Sequence, residues 1–211
     1  TDDLKKCSRF WIILFKTILS KLYHWKIYVV GSVEYQYPNH LFQAGYFLDK
    51  KYYDENTIDF KHLLLSEKNQ SLLKDIQNSN SVGVHIRRGD YMTKQNLVIF
   101  GNICTQKYYH DAIRIITEKV NDAVFYVFSD DISWVQTHLD IPNAVYVNWN
   151  TGESSIYDMY LMSSCKYNII ANSTFSYWAA RLNKKTNMVI YPSKWYNTFT
   201  PDIFPESWCG I

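Results

Sequence analysis

Glycine and proline are scarce in this chain, 7 and 5 of 211 residues, and neither is concentrated enough to make a disordered linker or a fibrous repeat. Cysteine is as sparse. Cys7, Cys104, Cys165 and Cys209 lie far apart with no C-x-x-C pair, which argues against a zinc ribbon or a dense disulfide scaffold and fits a reducing, cytoplasmic setting. No G-x-x-x-x-G-K-[ST] loop is present, so hydrolysis of ATP or GTP at a Walker site is excluded. There is no H-E-x-x-H, and no D-x-D beside a strand end to bridge a metal to a diphosphate. Charge of one sign is not in excess either: 22 Lys and Arg against 20 Asp and Glu leave a net +2, too little for a protein that binds by blanketing a nucleic-acid backbone. The apolar run Phe10 to Phe15 is broken by Lys16 and Lys21, is too short to span a bilayer, and is followed by no small-residue cleavage site.

What is abundant is aromatic and apolar. Hydrophobic residues make up 47% of the chain, enough for one domain with a sizeable core plus part of a second. Phe10, Ile13, Leu14, Thr17, Ile18, Lys21 and Leu22 recur at helical spacing and predict an amphipathic helix within Phe10 to Tyr28. Its lysines suit peripheral contact with a membrane surface, and they suit equally a helix packed on a neighbour. Tyr35 to Tyr53 is Tyr-rich and reads as irregular. Phe60, Leu63 and Leu64, then Leu72, Leu73 and Ile76, read as two short helices between Ile58 and Asn78.

The polar spacer Asn78 to Ser81 marks a change of pattern and the expected domain boundary, with 1–80 mostly helical and 81–211 an α/β domain. Beyond it, β-rich stretches at Val82 to Ile86, Ala123 to Phe128, Ala144 to Val147, Asn168 to Ala171 and Met188 to Tyr191 alternate with helical patterns. The helices are expected at Lys107 to Val120, Ile132 to Leu139, Ile156 to Ser164 and Phe175 to Leu182. That alternation predicts a parallel α/β sheet with ligands off the carboxyl ends of its strands.

Four clusters carry candidate chemistry. In Val84-His85-Ile86-Arg87-Arg88-Gly89-Asp90-Tyr91, His85 and Arg87 fall on one strand face, and two guanidiniums converge at the strand's end. A planar, permanently charged guanidinium suits a diphosphate. The same spacing also lets Arg87 or Arg88 pair with Asp90 at the surface and His85 serve as a core residue. In Ala171-Asn172-Ser173-Thr174-Phe175-Ser176, a strand hands over to a helix whose start offers free N–H groups and a positive dipole end, an anion seat or an ordinary cap. In Ser155-Ile156-Tyr157-Asp158 the spacing is that of a capping box, yet a carboxylate can also accept both N1–H and N2–H of guanine. Phe128-Ser129-Asp130-Asp131, with Trp134 beyond, ends a strand and caps a helix, with a ribose or ring contact as the alternative.

His85-Ile86-Arg87-Arg88-Gly89-Asp90-Tyr91, Phe128 to Asp131, and Asp158 to Ser163 leading on to Ala171 to Ser176 together resemble the ordered motifs of the α1,2-fucosyltransferases, glycosyltransferase family eleven, over about Ser81 to Ile211. The resemblance implies a GT-B-like fold whose carboxyl-terminal, Rossmann-like domain binds GDP-L-fucose without metal or other cofactor, while the amino-terminal region helps to hold a galactose-terminated glycan. It implies that Arg87 holds the β-phosphate with Arg88 beside it. His85 would lie against the nucleotide and Asp158 would read guanine. Ser173 and Thr174, flanked by Asn172 and Phe175, would donate to the diphosphate, with Asp130 near the nucleotide. Asp90 is the expected base for the galactose hydroxyl. The Gly-rich G-G-L-G-N-Q loop of this family is absent, the first glycine being Gly31, so the chain is expected to be an amino-truncated member. A non-catalytic fragment that binds a GDP-sugar is the alternative expectation.

Overall fold

In the computed structural model of the chain, residues 59–211 are described in full and Tyr28–Val30 and Phe42–Ala44 by their backbone. The chain divides into two compact units, one of residues 1–53 with Pro201–Ile203, the other of Asp54–Thr200 with Phe204–Ile211. In the first, strands β1 (Tyr28–Val30) and β2 (Phe42–Ala44) pair in parallel, Tyr28 opposite Phe42. The amphipathic helix expected before Tyr28 lies outside the described residues, as does most of the Tyr-rich segment, within which β2 is nonetheless a strand. Among the described residues no helix is long and apolar enough to cross a membrane.

The second unit opens with helix α1 (Glu67–Asn78), where two helices were expected. Ser66 caps it by accepting from Asn69 N–H at 3.3 Å, and Leu72 and Ile76, one turn apart, are its buried stripe. Phe60 to Leu63 forms only a turn before that cap, and Leu64 is 85% exposed. The helix lies before position 80 but packs on the same sheet as the residues after it, Leu72 and Ile76 joining Tyr126, Phe128 and Met162 in one core.

The remaining elements are β3 (Asn80–Ile86), α2 (Lys94–Phe100), α3 (Gln106–Thr117), β4 (Ala123–Ser129), α4 (Ile132–His138), β5 (Ala144–Val147), α5 (Ser155–Ser163), β6 (Tyr167–Ile169), α6 (Thr174–Arg181), β7 (Met188–Tyr191) and β8 (Cys209–Gly210). A single 3₁₀ turn, Gly89–Met92, follows β3, and another, Gly152–Ser154, precedes α5. Strands β3 to β8 form one all-parallel sheet in the order β5-β4-β3-β6-β7-β8. Counted from β3, this is the 3-2-1-4-5-6 order of doubly wound nucleotide-binding sheets, and its direction reverses between β3 and β6.

Period-two alternation sorts the side chains. Val82, Val84, Ile86, Phe125 and Val127 face Tyr109, Ile113 and Ile116 of α3 and Val135 of α4, while Tyr126 and Phe128 face α1, α5 and α6. Gly83 lies on the second face, where a Cβ would stand 2.9 Å from Asn168 Nδ2 and 3.0 Å from Met162 Cγ, so the absence of a side chain lets α5 close on β3. The short α2 and β8 were not expected. Thr93 caps α2 by accepting from Asn96 N–H, and β8 is held to β7 through Ile190 opposite Cys209.

Candidate functional site at the strand ends

Near the ends of β3 and β6, backbone carbonyls accept from tyrosine hydroxyls. The Tyr109 hydroxyl donates to His85 O at 3.1 Å and Tyr108 to Ile170 O at 2.6 Å, both from α3. Tyr91, on the 3₁₀ turn, donates to Asn172 O at 2.9 Å and so ties the loop after β3 to the loop after β6. Asn172 is buried and donates to Trp195 O at 3.0 Å, which fixes the second loop from the other side.

His85, the last but one residue of β3, has its ring 5.1 Å from the Phe175 ring of α6. It is 5% exposed, and its Nδ1 has no hydrogen-bond partner among the described residues. Burial first, then the nearby Arg87 charge, pushes the imidazole down from 6.5 to about 3. His85 is therefore neutral at ordinary pH and does not cycle a proton in this state.

Arg87 reaches two carboxylates, Nη2 to Asp90 Oδ1 at 2.6 Å and Nη1 to Asp130 Oδ2 at 2.8 Å. Asp130 also accepts from Arg88 N–H at 2.9 Å, and a Cβ at Gly89 would run into its carboxylate, so the end of β4 shapes the turn that carries both arginines. Arg88 pairs with Asp131 at 3.2 Å and lies over the Trp134 ring, 3.7 Å from its centre. Asp131 is also the α4 cap, accepting from Trp134 N–H at 3.1 Å. The capping reading fits Asp131 alone; Asp130 is an arginine partner. Surface pairing of Arg87 with Asp90, the plainer of the two sequence readings, is present.

Across the reversal point, Ser173 caps α6 by its backbone, and its side chain makes no capping hydrogen bond. Thr174 and Phe175 lie in the first turn of α6, whose N–H groups have no carbonyl partner within the helix. The β3–β6 ladder ends with Val84 opposite Ile169, and Arg87 and Asn172 each follow three residues beyond that last pair. Arg87, Arg88 and His85 thus lie on one side of the reversal point and Asn172 to Phe175 on the other.

Asp158 belongs to a separate cluster. It is not part of a capping box: α5 is capped by Ser154 without a side-chain bond, and Asp158 is turned inward, 9% exposed, with Asn150 Nδ2 donating to its Oδ1 at 2.6 Å. Burial pushes its carboxyl up to about 7 against the opposing pull of Asn150. Trp149, Asn150 and Asn69 complete the cluster. No motif announces them, because Trp149 and Asn150 sit in the loop after β5 and Asn69 on α1, far apart in sequence.

The glycosyl transferase family 11 model matches residues 10–211. The alpha-1,2-colitosyltransferase of Escherichia coli is 35% identical over 196 residues, covering 86% of this chain and 63% of that protein. The O-antigen biosynthesis glycosyltransferase WbnK of Escherichia coli is 44% identical over 122 residues, covering 57% of this chain and 40% of its own length. The galactoside alpha-(1,2)-fucosyltransferase 2 of Pongo pygmaeus is 28% identical over 163 residues, 71% of this chain and 48% of that protein. The chain thus spans less than two thirds of each of these relatives. Among solved structures, fucosyltransferase NodZ from Bradyrhizobium aligns with TM-score 0.39 and 18% identity, covering 56% of this chain and 42% of that one.

Proposed function

The chain belongs to glycosyl transferase family 11, and on that premise we propose that it carries the donor-binding half of a GT-B-like enzyme that moves L-fucose from GDP-β-L-fucose to the 2-hydroxyl of a terminal galactose, with inversion and without metal. The observation that carries this reading is the β3–β6 reversal point, where open α/β sheets take nucleotides, with Arg87 following β3, α6 following β6, and the His85 ring 5.1 Å from the Phe175 ring across it. A guanidinium and a helix start supply charge and N–H donors to a diphosphate, the need a cation meets elsewhere. The orphaned Nδ1 of His85, facing α6, is a further polar atom for a ligand to satisfy.

In the reaction proposed, the galactose oxygen forms a bond to the fucose anomeric carbon as the bond from that carbon to the β-phosphate oxygen breaks. The electron pair leaves with GDP, and the hydroxyl proton passes to a base, for which Asp90 is the candidate. The main demand is stabilisation of the departing diphosphate by donors already in place. Arg87 keeps N–H groups beyond the two that its carboxylates engage, and Ser173 and Thr174 at the start of α6 would add donors of their own. Asp158 takes the guanine edge. Peripheral membrane contact through the basic amino-terminal segment and a cytoplasmic location belong to the same proposal.

A second donor has support from the colitosyltransferase relative, since colitose is fucose without its 3-hydroxyl. Both sugars would share the GDP contacts above. The full chain is to be incubated with GDP-fucose or GDP-colitose, with and without a galactose-terminated acceptor, in chelator. Acceptor-dependent GDP release with a new α1,2-linked product is the expected result. GDP binding without transfer would identify the chain as a non-catalytic binding fragment, and neither binding nor transfer would end the reading.

A further inference from the structure

Asn69, 1% exposed on α1, is tied to the loop after β5 by an unusual density of side-chain hydrogen bonds. Trp149 Nε1 donates to Asn69 Oδ1 at 2.7 Å, Asn150 Nδ2 donates to the same oxygen at 3.1 Å, and Asn69 Nδ2 donates back to Asn150 Oδ1 at 3.0 Å. The Asn150 amide nitrogen also donates to Asp158 Oδ1 at 2.6 Å. An indole N–H can only donate, so the Asn69 atom facing it is an oxygen. That choice turns the Asn69 amide nitrogen toward the Asn150 oxygen, and therefore the Asn150 amide nitrogen toward Asp158. Polarity set at Trp149 is passed through two amides to a carboxylate on another helix.

We propose that Trp149, Asn69 and Asn150 form a polarised relay that reserves Asp158 Oδ1 as an internal acceptor and presents Oδ2 to the nucleotide base, making them positioning residues for base selection. The inference rests on the donor-binding reading above, in which Asp158 meets guanine. Asn150 provides the one hydrogen bond that Asp158 receives among the described residues, so Oδ2 is left for a ligand. With Oδ1 already accepting, any proton on Asp158 must sit on Oδ2, where it would offer a donor to guanine N1–H and N2–H instead of an acceptor. The relay therefore selects for guanine only while Asp158 is a carboxylate. Position in α5's first turn favours that form, and Lys68, over the Trp149 ring at 3.7 Å, is a nearby cation from α1.

Trp149→Phe keeps a ring beneath Lys68 but removes the donor, so the two amides can turn over and present a carbonyl to Asp158. Dissociation constants for GDP, IDP (which lacks the 2-amino group) and ADP are measured on parent, Trp149→Phe, Asn150→Ala and Asn69→Asp, each checked for folding by its melting transition. Preference for GDP over IDP and ADP should fall by about tenfold in Trp149→Phe and Asn150→Ala while ADP affinity stays within about twofold. Asn69→Asp keeps an acceptor for Trp149 but sets a carboxylate oxygen against the Asn150 carbonyl, and should lower the preference as well. An unchanged GDP preference in folded Trp149→Phe and Asn150→Ala, or an equal loss for all three nucleotides, overturns the relay. A parent chain that binds no GDP overturns the donor reading itself, a different result from either.

Discussion

Arg87 and Asp130 meet at 2.8 Å across the ends of β3 and β4, the same carboxylate accepting from the Arg88 backbone at 2.9 Å. This contact links the proposed phosphate ligand to the sheet, whereas the contact of Arg87 with Asp90 links it only to its own turn. The two aspartates should therefore behave differently. Asp130→Asn is expected to weaken GDP binding several-fold, because the guanidinium loses its anchor and the β3 turn loses a charged acceptor. Asp90→Asn should leave GDP binding unchanged or tighter, since a competing carboxylate is removed, while abolishing most turnover if Asp90 is the base. Calorimetry and initial rates on both variants separate the roles.

Charge and geometry can be separated at Arg87. Arg87→Lys keeps the charge but loses the planar fork, and should cost about 1.5–3 kcal/mol of GDP binding. Arg87→Ala should cost at least as much. The side chain is only partly buried and held by exposed partners, so melting temperatures of both should stay near the parent's.

Asp158 gives a pH signature with a definite sign. Its carboxyl lies near 3.8 unfolded and about 7 folded, so between those values the folded chain holds a proton that the unfolded chain has released. Its contribution to stability is full below about pH 4 and lost as pH rises through 7. In Asp158→Asn that slope should vanish, leaving the variant more stable than the parent above pH 7 when melting curves are compared across this range. GDP, which needs the carboxylate, should bind the parent more tightly as pH rises through the same window.

His85 runs in the opposite direction. Held neutral down to about pH 3, against 6.5 unfolded, it stabilises the fold above 6.5, and that contribution is lost as pH falls toward 3. A His85→Gln variant should show a shallower loss of stability across that acid range, read by the same melts.

Gly83→Ala tests the doubly wound packing without touching the proposed ligand. The new methyl must displace Met162 or Asn168, which themselves are packed and hydrogen-bonded, at about 1–3 kcal/mol of stability. Denaturant unfolding measures it, and the folded fraction should bind GDP as the parent does.

The sheet was legible in sequence because its strands are short apolar runs separated by periodic helices. All five expected strands agree to within two residues at each end, the one expected over Asn168 to Ala171 being Tyr167–Ile169 because Ile170 and Ala171 already belong to the connection into α6. The 58–78 region was misread because Phe60 and Leu63 have helical spacing but no cap before Ser66. Side-chain partners were less legible. Asp158 looks like a capping acid in the sequence and is buried in the fold, since nothing local shows that Asn150, held by Asn69 of α1, donates to it. Asp130 and Asp131 are adjacent and chemically alike, yet one anchors Arg87 and the other caps α4, a division that only the register of β3 against β4 makes.

Titration of the full chain and its Arg87→Ala variant with GDP in excess chelator decides whether a guanosine diphosphate sits at the β3–β6 reversal point, gripped by Arg87 without a cation. Saturable binding of one GDP by the parent, strongly weakened in the variant, with UDP binding far more weakly, is the predicted result. Binding that needs added magnesium or manganese, that accepts UDP equally, or that survives Arg87→Ala unchanged would contradict it.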